Sequence, residues 1–445
     1  MHPRLMLSSK LRRDFRAATE RRVASAAAGE TNWEQAQLDA VQKMWADAST
    51  DIPHYAELVA HGGAPEEIRT WDDFRRLPVL TRQALQDQPE SFVRRSGPPD
   101  SFMKTAGSTG TPLRLGLNQV ERDLMRIVKL AAWQEFGYTP ESRLFLIWGH
   151  SHLLGTGWRG RVNHFRRKAA DWLLGYRRVD AYRLNRASCV AHAETLIRFR
   201  PLGLIGYASA LDLFARYTDH FREQFRRLGL RFVLATSEPA PRPDTFALLE
   251  DLFGCPVVQE YGGAEFGQVA FKTGAAPFEV YADLNYVECE ALDDGDAEAH
   301  PVLVTTLYPR YLPLFRYRVG DAIRGPEQLP HGHVRRFEGV EGRLNDVIQF
   351  EDGHAVHSVA IFHCIHQESS VHNIQMLVND DGVEIQLIST APGDAAVTER
   401  IRQRLAQVHQ PLASAKIIFV EDLVTNRAGK RRWFVDQRSK PPAFN

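Results

Sequence analysis

The chain has 445 residues, too many for one ordinary hydrophobic core, so two or more domains are expected. Its apolar share of 44% and charged share of 25% match the composition of a soluble globular protein. Lys plus Arg and Asp plus Glu each number 55, a balance that argues against general affinity for nucleic acid or anionic membranes while leaving room for local patches.

Four cysteines (Cys189, Cys255, Cys289 and Cys364) lie far apart with no Cys-x-x-Cys pair, which suits buried free thiols in a reducing compartment. The N-terminus is basic (Lys10, Arg12, Arg13, Arg16), but no apolar core follows it. With no uninterrupted span of about 20 apolar residues, the expectation is a cytoplasmic protein without a membrane span.

Residues 1–100 read mainly as helix. Leu38, Val41, Met44, Trp45 and Ala48 fall at helical spacing, and Pro53 ends the run. The segments 70–74 and 77–81 read as short lead-ins to the next helix. The stretch Thr105-Ala106-Gly107-Ser108-Thr109-Gly110-Thr111-Pro112 then gathers glycines and hydroxyls, with Leu113, Leu115 and Leu117 alternating behind it. That is a strand, a loop and a second strand. Its loop reads either as a phosphate cradle or as a polar hairpin turn, and it lacks the Gly-Lys-Ser/Thr ending of a Walker loop.

Asn118 can cap a helix over 119–136, with Leu124, Ile127, Val128, Ala131 and Ala132 as its apolar stripe. The run 143–148 reads as a buried strand emptying into Gly149-His150-Ser151-His152, where the histidines suit a substrate pocket or loop packing equally. Residues 159–183 are locally basic, either a solvated face or a site for the phosphates of an anionic co-substrate.

Helix and strand patterns then alternate. A strand at 202–205 precedes Gly206-Tyr207-Ala208-Ser209 and a helix through Tyr217, and 230–235 leads into Thr236-Ser237-Glu238-Pro239. A helix over 245–253 stops at Gly254, and a short strand at 256–259 precedes Tyr261-Gly262-Gly263-Ala264-Glu265-Phe266-Gly267. Polar or glycine-bearing loops at successive strand ends are the pattern of a sheet with its site along one edge. The stretch 280–340 is richer in strand, at 302–307, 314–317 and 333–337. Past Gly342-Arg343, strands at 347–350, 373–378, 383–389 and 416–420 with a helix over 397–408 make a compact α+β unit.

In this order the loops resemble the signatures of the adenylate-forming enzymes, the superfamily of acyl-CoA ligases, peptide-synthetase adenylation domains and luciferases. Residues 105–112 match Thr-Ser-Gly-Ser-Thr-Gly-x-Pro, with Ala106 for the first serine. Tyr261–Glu265 matches Tyr-Gly-x-Thr-Glu, Tyr317-Arg318-Val319-Gly320-Asp321 matches Tyr-x-Thr-Gly-Asp, and Gly429-Lys430 matches the terminal Gly-Lys. Ser237-Glu238-Pro239, the spacing from Gly342-Arg343 to Asp352-Gly353, and the ending Gly-Lys-Arg-Arg resemble the phenylacetate-CoA ligase branch, with its capsular-polysaccharide-associated (CapK-like) subgroup nearest.

The resemblance implies an α/β fold: a large N-terminal domain of mixed sheets and helices (1–342) that binds ATP and an acid, then a small mobile C-terminal α+β domain (343–445). It implies an enzyme that activates a carboxylic acid as its acyl-adenylate, releases pyrophosphate, and passes the acyl group to an acceptor, with the thiol of coenzyme A favoured over an amine or hydroxyl. Carried over residue by residue, Thr105, Ser108, Thr109, Gly110 and Thr111 hold phosphates. Ser237, Glu238, Pro239, Tyr261 and Gly262 line the adenine, Asp321 takes the ribose hydroxyls, and Arg343 assists it. Glu265 holds Mg²⁺, Lys430 reaches the α-phosphate and carboxylate, and Asn345 or Asp346 is the hinge. Trp148, His150, His152, Tyr207, Ala208 and Gly263 line the acid pocket. Gln349 stands where many members have lysine, and Val424-Thr425-Asn426 replaces Pro-Arg-Thr, so the acceptor does not follow from these residues. A nucleotidyl transferase that retains AMP on its product, and a non-catalytic nucleotide-sensing scaffold, are the rival readings.

Overall fold

The computed structural model describes residues 9–28, 33–104, 113–139, 141–148, 157–181, 184–237, 240, 244–290, 300–341, 347–350, 354–365, 367–368, 370–389, 391–421, 434–436 and 438. Helices α1 (Ser9–Ala28), α2 (Trp33–Asp51), α3 (Pro53–Ala60), α4 (Trp71–Arg75) and α5 (Arg82–Asp87) come first, then strands β1 (Ser101–Lys104) and β2 (Arg114–Leu117) and helix α6 (Gln119–Glu135). Strands and helices alternate through β3 (Leu144–Ile147), α7 (Gly157–Leu174), β4 (Tyr176–Val179), α8 (Arg186–Phe199), β5 (Gly203–Tyr207), α9 (Ala208–Thr218), α10 (Arg222–Leu228), β6 (Phe232–Thr236) and α11 (Thr245–Phe253). A strand-rich stretch follows: β7 (Val257–Gly263), β8 (Gly267–Thr273), β9 (Phe278–Val280), β10 (Asn285–Cys289), β11 (His300–Thr306), β12 (Tyr317–Arg324), β13 (Glu327–Gln328), β14 (Val334–Phe337) and β15 (Gly339–Glu341). The remainder is β16 (Val347–Gln349), β17 (Ala355–His357), α12 (Ser358–Ile365), β18 (Val371–Asn379), β19 (Gly382–Ser389), α13 (Ala395–Val408), β20 (Lys416–Phe419) and β21 (Phe434–Asp436). The fold is mixed α/β with an α+β C-terminal portion, as the sequence pattern leads one to expect. The described residues form two compact units, one drawn from the stretches up to 104, 113–142 and 256–341, the other from 143–255 and from 347 onward.

In the first unit, local chemistry sets the helix starts. Thr70 and Asp73 form a capping box ahead of α4, and Thr81 accepts the Ala84 N–H ahead of α5. Asn118 accepts the Glu121 N–H and starts α6 where the sequence places it. β1 and β2 pair antiparallel, Lys104 opposite Arg114, and Leu113, Leu115 and Leu117 are buried. Two antiparallel sheets follow, in orders β13-β14-β9-β8-β7 and β10-β11-β12-β15. Their core is aromatic: Trp71 stacks on Tyr286 at 4.4 Å, and Trp45 meets Phe315 edge-on at 5.3 Å.

Two expectations are corrected in this unit. The strand read at 314–317 is absent, because Arg316 is left-handed (φ 48°) and gives its N–H to the Thr305 hydroxyl. The strand starts instead at Tyr317 and runs through Asp321, so this motif is not a loop. Between Arg318 and Ala322 it bulges, since β11 advances only from Leu303 to Pro301 over the same span, and Gly320 takes φ 86° within the bulge. Likewise the short strand read at 256–259 continues through Gly262 and Gly263 as β7.

In the second unit, β6, β5, β3 and β4 form a parallel set, and β3 and β5 are buried along their whole length. α9 begins directly after Tyr207, so no loop intervenes where the sequence suggested one at 206–209. A second set, β20-β19-β18-β21, accompanies α13, which is capped by Asp394. The sequence reading missed α12 and β21. All four cysteines are free, and burial pushes the Cys189 and Cys255 thiols up to about 12. Among the described residues no helix is long and apolar enough to cross a membrane.

His333, beside β14, is wholly buried. Its Nδ1 accepts the Val287 N–H at 3.2 Å, and its Nε2 is buried without a hydrogen-bond partner. Burial, reinforced by His331, lowers its pKa to about 3, against the usual value near 6.5. The ring is therefore neutral when folded, and the stability this provides is complete above about pH 6.5 and lost as pH falls toward 3. The unfolding free energy of the wild type from urea denaturation should decline between pH 6.5 and 4.5, by up to about 1.4 kcal/mol per pH unit from this group. His333→Phe should flatten that decline; an unchanged slope assigns it to other groups.

Candidate functional site

The Tyr261–Glu265 motif folds as the β7–β8 hairpin. Gly263 pairs with Gly267 around Ala264, Glu265 and Phe266, and Gly267 takes φ 78°, the left-handed residue that closes a three-residue loop. A Cβ at Gly262 would strike the Gly267 carbonyl, and one at Gly263 the Phe266 ring, so both positions need glycine.

Three arginine contacts and one tyrosine hydroxyl hold this hairpin's surroundings. Arg310 gives Nη1 to the Glu265 carbonyl and Nε to Glu121 Oε1, both at 2.6 Å. The Arg310 and Glu121 side chains are 2% and 0% exposed. Burial opposes the guanidinium's charge, yet Tyr308, Glu121 and Glu265 outweigh it and raise its pKa above the usual arginine value. Arg82, the first residue of α5, gives Nη1 to Glu265 Oε1 at 2.6 Å. Arg82 is delivered by the 77–81 segment, which is tied to β12: Leu80 accepts the Arg318 N–H at 2.9 Å, and Arg316 donates to the Leu77 carbonyl at 2.8 Å. The Tyr261 hydroxyl donates to Asp321 Oδ2 at 3.1 Å, bringing two of the sequence-selected side chains together. Asp321 lies within the β12 bulge, between Arg318 and Ala322.

In the second unit, the selected residues lie at the C-terminal ends of parallel strands. Trp148 follows β3, Tyr207 closes β5, Ala208 opens α9 and Ser237 follows β6. The Trp148 and Tyr207 rings stack at 4.3 Å with an 18° interplanar angle, so two of the proposed pocket residues form one aromatic wall. Ser237 is exposed and left-handed, at φ 74°, a conformation uncommon outside glycine and often found at functional turns. Thr105, Ser108, Thr109, Gly110, Thr111, His150, His152, Glu238, Pro239, Arg343, Asn345, Asp346 and Lys430 lie outside the described residues.

The sequence reading missed Arg82, Glu121 and Arg310. Glu121 is the third residue after the Asn118 cap, where an acid normally closes a capping box; here its carboxylate is committed to Arg310 instead. Nothing local marks these residues, because Arg82 and Glu265 are 183 positions apart and Glu121 and Arg310 are 189. Among the described residues no group of three or more His, Cys, Asp or Glu could hold a metal. Glu265, a single half-buried carboxylate, fits a hard cation only if phosphate and water supply its other ligands, which is how Mg²⁺ is commonly bound beside nucleotides.

Glu121→Ala should strand the buried Arg310 guanidinium and lower stability by about 3–5 kcal/mol in denaturant unfolding. Glu121→Leu with Arg310→Met should recover most of that loss, as apolar replacements of buried pairs do. A loss below about 1 kcal/mol for the single variant would remove the pair from any anchoring role.

No protein-family model matches the chain. It is 21% identical over 394 residues to Protein CapK of Staphylococcus aureus, covering 86% of this chain and 84% of that one. It is 23% identical over 322 residues to phenylacetate-coenzyme A ligase of Escherichia coli (strain K12), covering 68% and 69%. Among solved structures it is similar to 2-hydroxyisobutyryl-CoA ligase in complex with 2-HIB-AMP and CoA in the thioesterification state, with TM-score 0.55 and 19% identity over 92% of this chain and 91% of that one. The same ligase in its postadenylation state with R3-HIB-AMP gives TM-score 0.54 and 18% identity over 91% and 89%. In sequence the chain is thus similar to Protein CapK and to phenylacetate-coenzyme A ligase, and it shares the fold of the adenylate-bound 2-hydroxyisobutyryl-CoA ligase structures.

Proposed function

We propose that this protein is an ATP-dependent, AMP-forming acid ligase. The observation that carries the reading is the Tyr261–Asp321 hydrogen bond, which joins the hairpin and strand motifs beside Glu265. The relatives support it, since they include a phenylacetate-coenzyme A ligase and a CoA ligase bound to an acyl-AMP and CoA. In the first step a carboxylate oxygen of the acid bonds to the α-phosphorus of ATP, and the bond to the bridging oxygen breaks to release pyrophosphate. In the second an acceptor, the coenzyme A thiol in the favoured case, bonds to the acyl carbon and AMP leaves.

Two anions must approach each other in the first step, so charge compensation is the main task of the site. Asp321 accepts from the ribose hydroxyls, because one carboxylate can take two donors at once. Tyr261 and Ser237 belong to the adenine wall, together with Gly262, Glu238 and Pro239. Thr105, Ser108, Thr109, Gly110 and Thr111 cradle the outgoing phosphates, and Lys430 meets the developing charge as a mobile point cation. Glu265 would hold Mg²⁺, which supplies charge neutralisation at the phosphates when bound; its Oε1 is held by Arg82 in this structure. Trp148, Tyr207, Ala208 and Gly263, with His150 and His152, belong to the acid pocket. Residues 343–445 form the mobile domain in this reading, turning at Asn345 or Asp346 with Arg343 beside the ribose.

Exchange of labelled pyrophosphate into ATP, dependent on an added carboxylic acid, tests the first step. Its absence across a broad acid panel, with folded protein and Mg²⁺ present, would refute the reading. Asp321→Ala should raise the KM for ATP about 10- to 100-fold through loss of charge-assisted hydrogen bonds. Lys430→Ala should suppress exchange while leaving nucleotide binding largely intact, and unchanged exchange would take Lys430 out of the chemistry. Mass spectrometry of the product identifies the acceptor.

A further inference from the structure

Helix α7 presents an apolar stripe to solvent. Trp158, Phe165 and Trp172 are 72%, 74% and 57% exposed, and Val162 is 36% exposed. At 100° per residue these four and Ala169 fall within a sector of about 80°. The cations sit on its borders: by the same rotation Arg161 and Lys168 flank one side and Arg166 the other, and all three are exposed. The helix carries five Lys or Arg against one acid, Asp171, and that acid is already bound to Arg178 at 3.1 Å. The helix is held on its inner side by that pair, leaving the stripe outward.

The distribution is not that of ordinary surface scatter. Of the seven large apolar side chains exposed among the described residues, four lie on this one helix. A basic border on both sides of a narrow aromatic stripe is the arrangement that lies flat at a bilayer surface. Aromatic rings then enter the headgroup boundary while long cationic side chains reach back to lipid phosphates. A second copy of the chain fits poorly, because two-fold pairing along the stripe would set cationic border against cationic border with no free acid between them. Nucleic acid fits poorly as well, since the centre of the surface is apolar and the chain's net charge is zero.

We propose that α7 is an interfacial helix that docks the protein reversibly on an anionic membrane surface, with Trp158, Val162, Phe165 and Trp172 as the inserting face and Arg161, Arg166 and Lys168 as the phosphate contacts. The proposal is independent of the ligase reading, and its test involves no catalysis.

Flotation of the full chain with vesicles of phosphatidylcholine, with and without phosphatidylglycerol, measures it directly. Binding is expected on the phosphatidylglycerol vesicles at low salt, weakened at molar salt. Replacing Arg161, Arg166 and Lys168 by Gln should reduce partitioning about fivefold per charge, about 100-fold together. Trp158→Ser, Phe165→Ser and Trp172→Ser combined should abolish flotation with the thermal midpoint unchanged, because these side chains are exposed. No flotation of the wild type at low salt overturns the proposal, as does equal binding to phosphatidylcholine alone. Flotation that neither variant set alters overturns it, as does a wild-type dimer in sedimentation that the apolar variants dissociate.

Discussion

A guanidinium withdrawn from water is the constraint on which the first unit depends. Arg310 is held wholly inside, and a buried charge of this kind is tolerated only when its donors are spent on fixed acceptors. It spends them on a carboxylate at the start of α6 and on the backbone of the β7–β8 hairpin. The hairpin tip therefore cannot shift without stranding a charge, and the pair acts as a register pin more than as a source of net stability. Arg82 then meets the hairpin's acid from a third element, and Asp321 on a fourth, β12, accepts from the hairpin's Tyr261. Polar contacts thus orient the acidic side chains, while the aromatic core around Trp45, Trp71 and Tyr286 sets the distance between the elements that carry them.

What could be read from the sequence was mostly what short-range physics dictates. Asn118 announces a helix because its side chain answers the N–H group three residues on. The strands of the C-terminal portion were legible from alternation and β-branched content, and 383–389 and 416–420 fall within a residue of β19 and β20. Apolar runs misled where one residue left the extended region: Arg316 breaks the strand expected at 314–317, and no pattern of hydrophobicity carries that information. The glycines of Tyr261-Gly262-Gly263 hid a strand, since low β propensity masks an extension fixed by cross-strand pairing.

The site was legible in a different way. Glu265 and Asp321 stood out as members of ordered motifs, and taken singly each is only an acid near a turn. Arg82, Glu121 and Arg310 belong to no motif, and their roles appear only when residues far apart in sequence meet. The basic stretch after Arg159 shows the complementary limit. A net charge of zero over the whole chain says nothing about one helix that carries five cations, three of them bordering a stripe with three exposed aromatic rings.

The span of these contacts has a consequence for how the protein comes into being. The Arg82–Glu265 and Glu121–Arg310 contacts close loops of 183 and 189 positions, and closing them is entropically expensive until the rest of the core rewards it. During synthesis α5 and α6 emerge long before the residues they must meet, so Glu121 waits with its charge hydrated until Arg310 arrives. The acidic centre of the hairpin is accordingly a late product of folding, and a chain interrupted before Glu265 has the site's framing helices but none of its assembled charge.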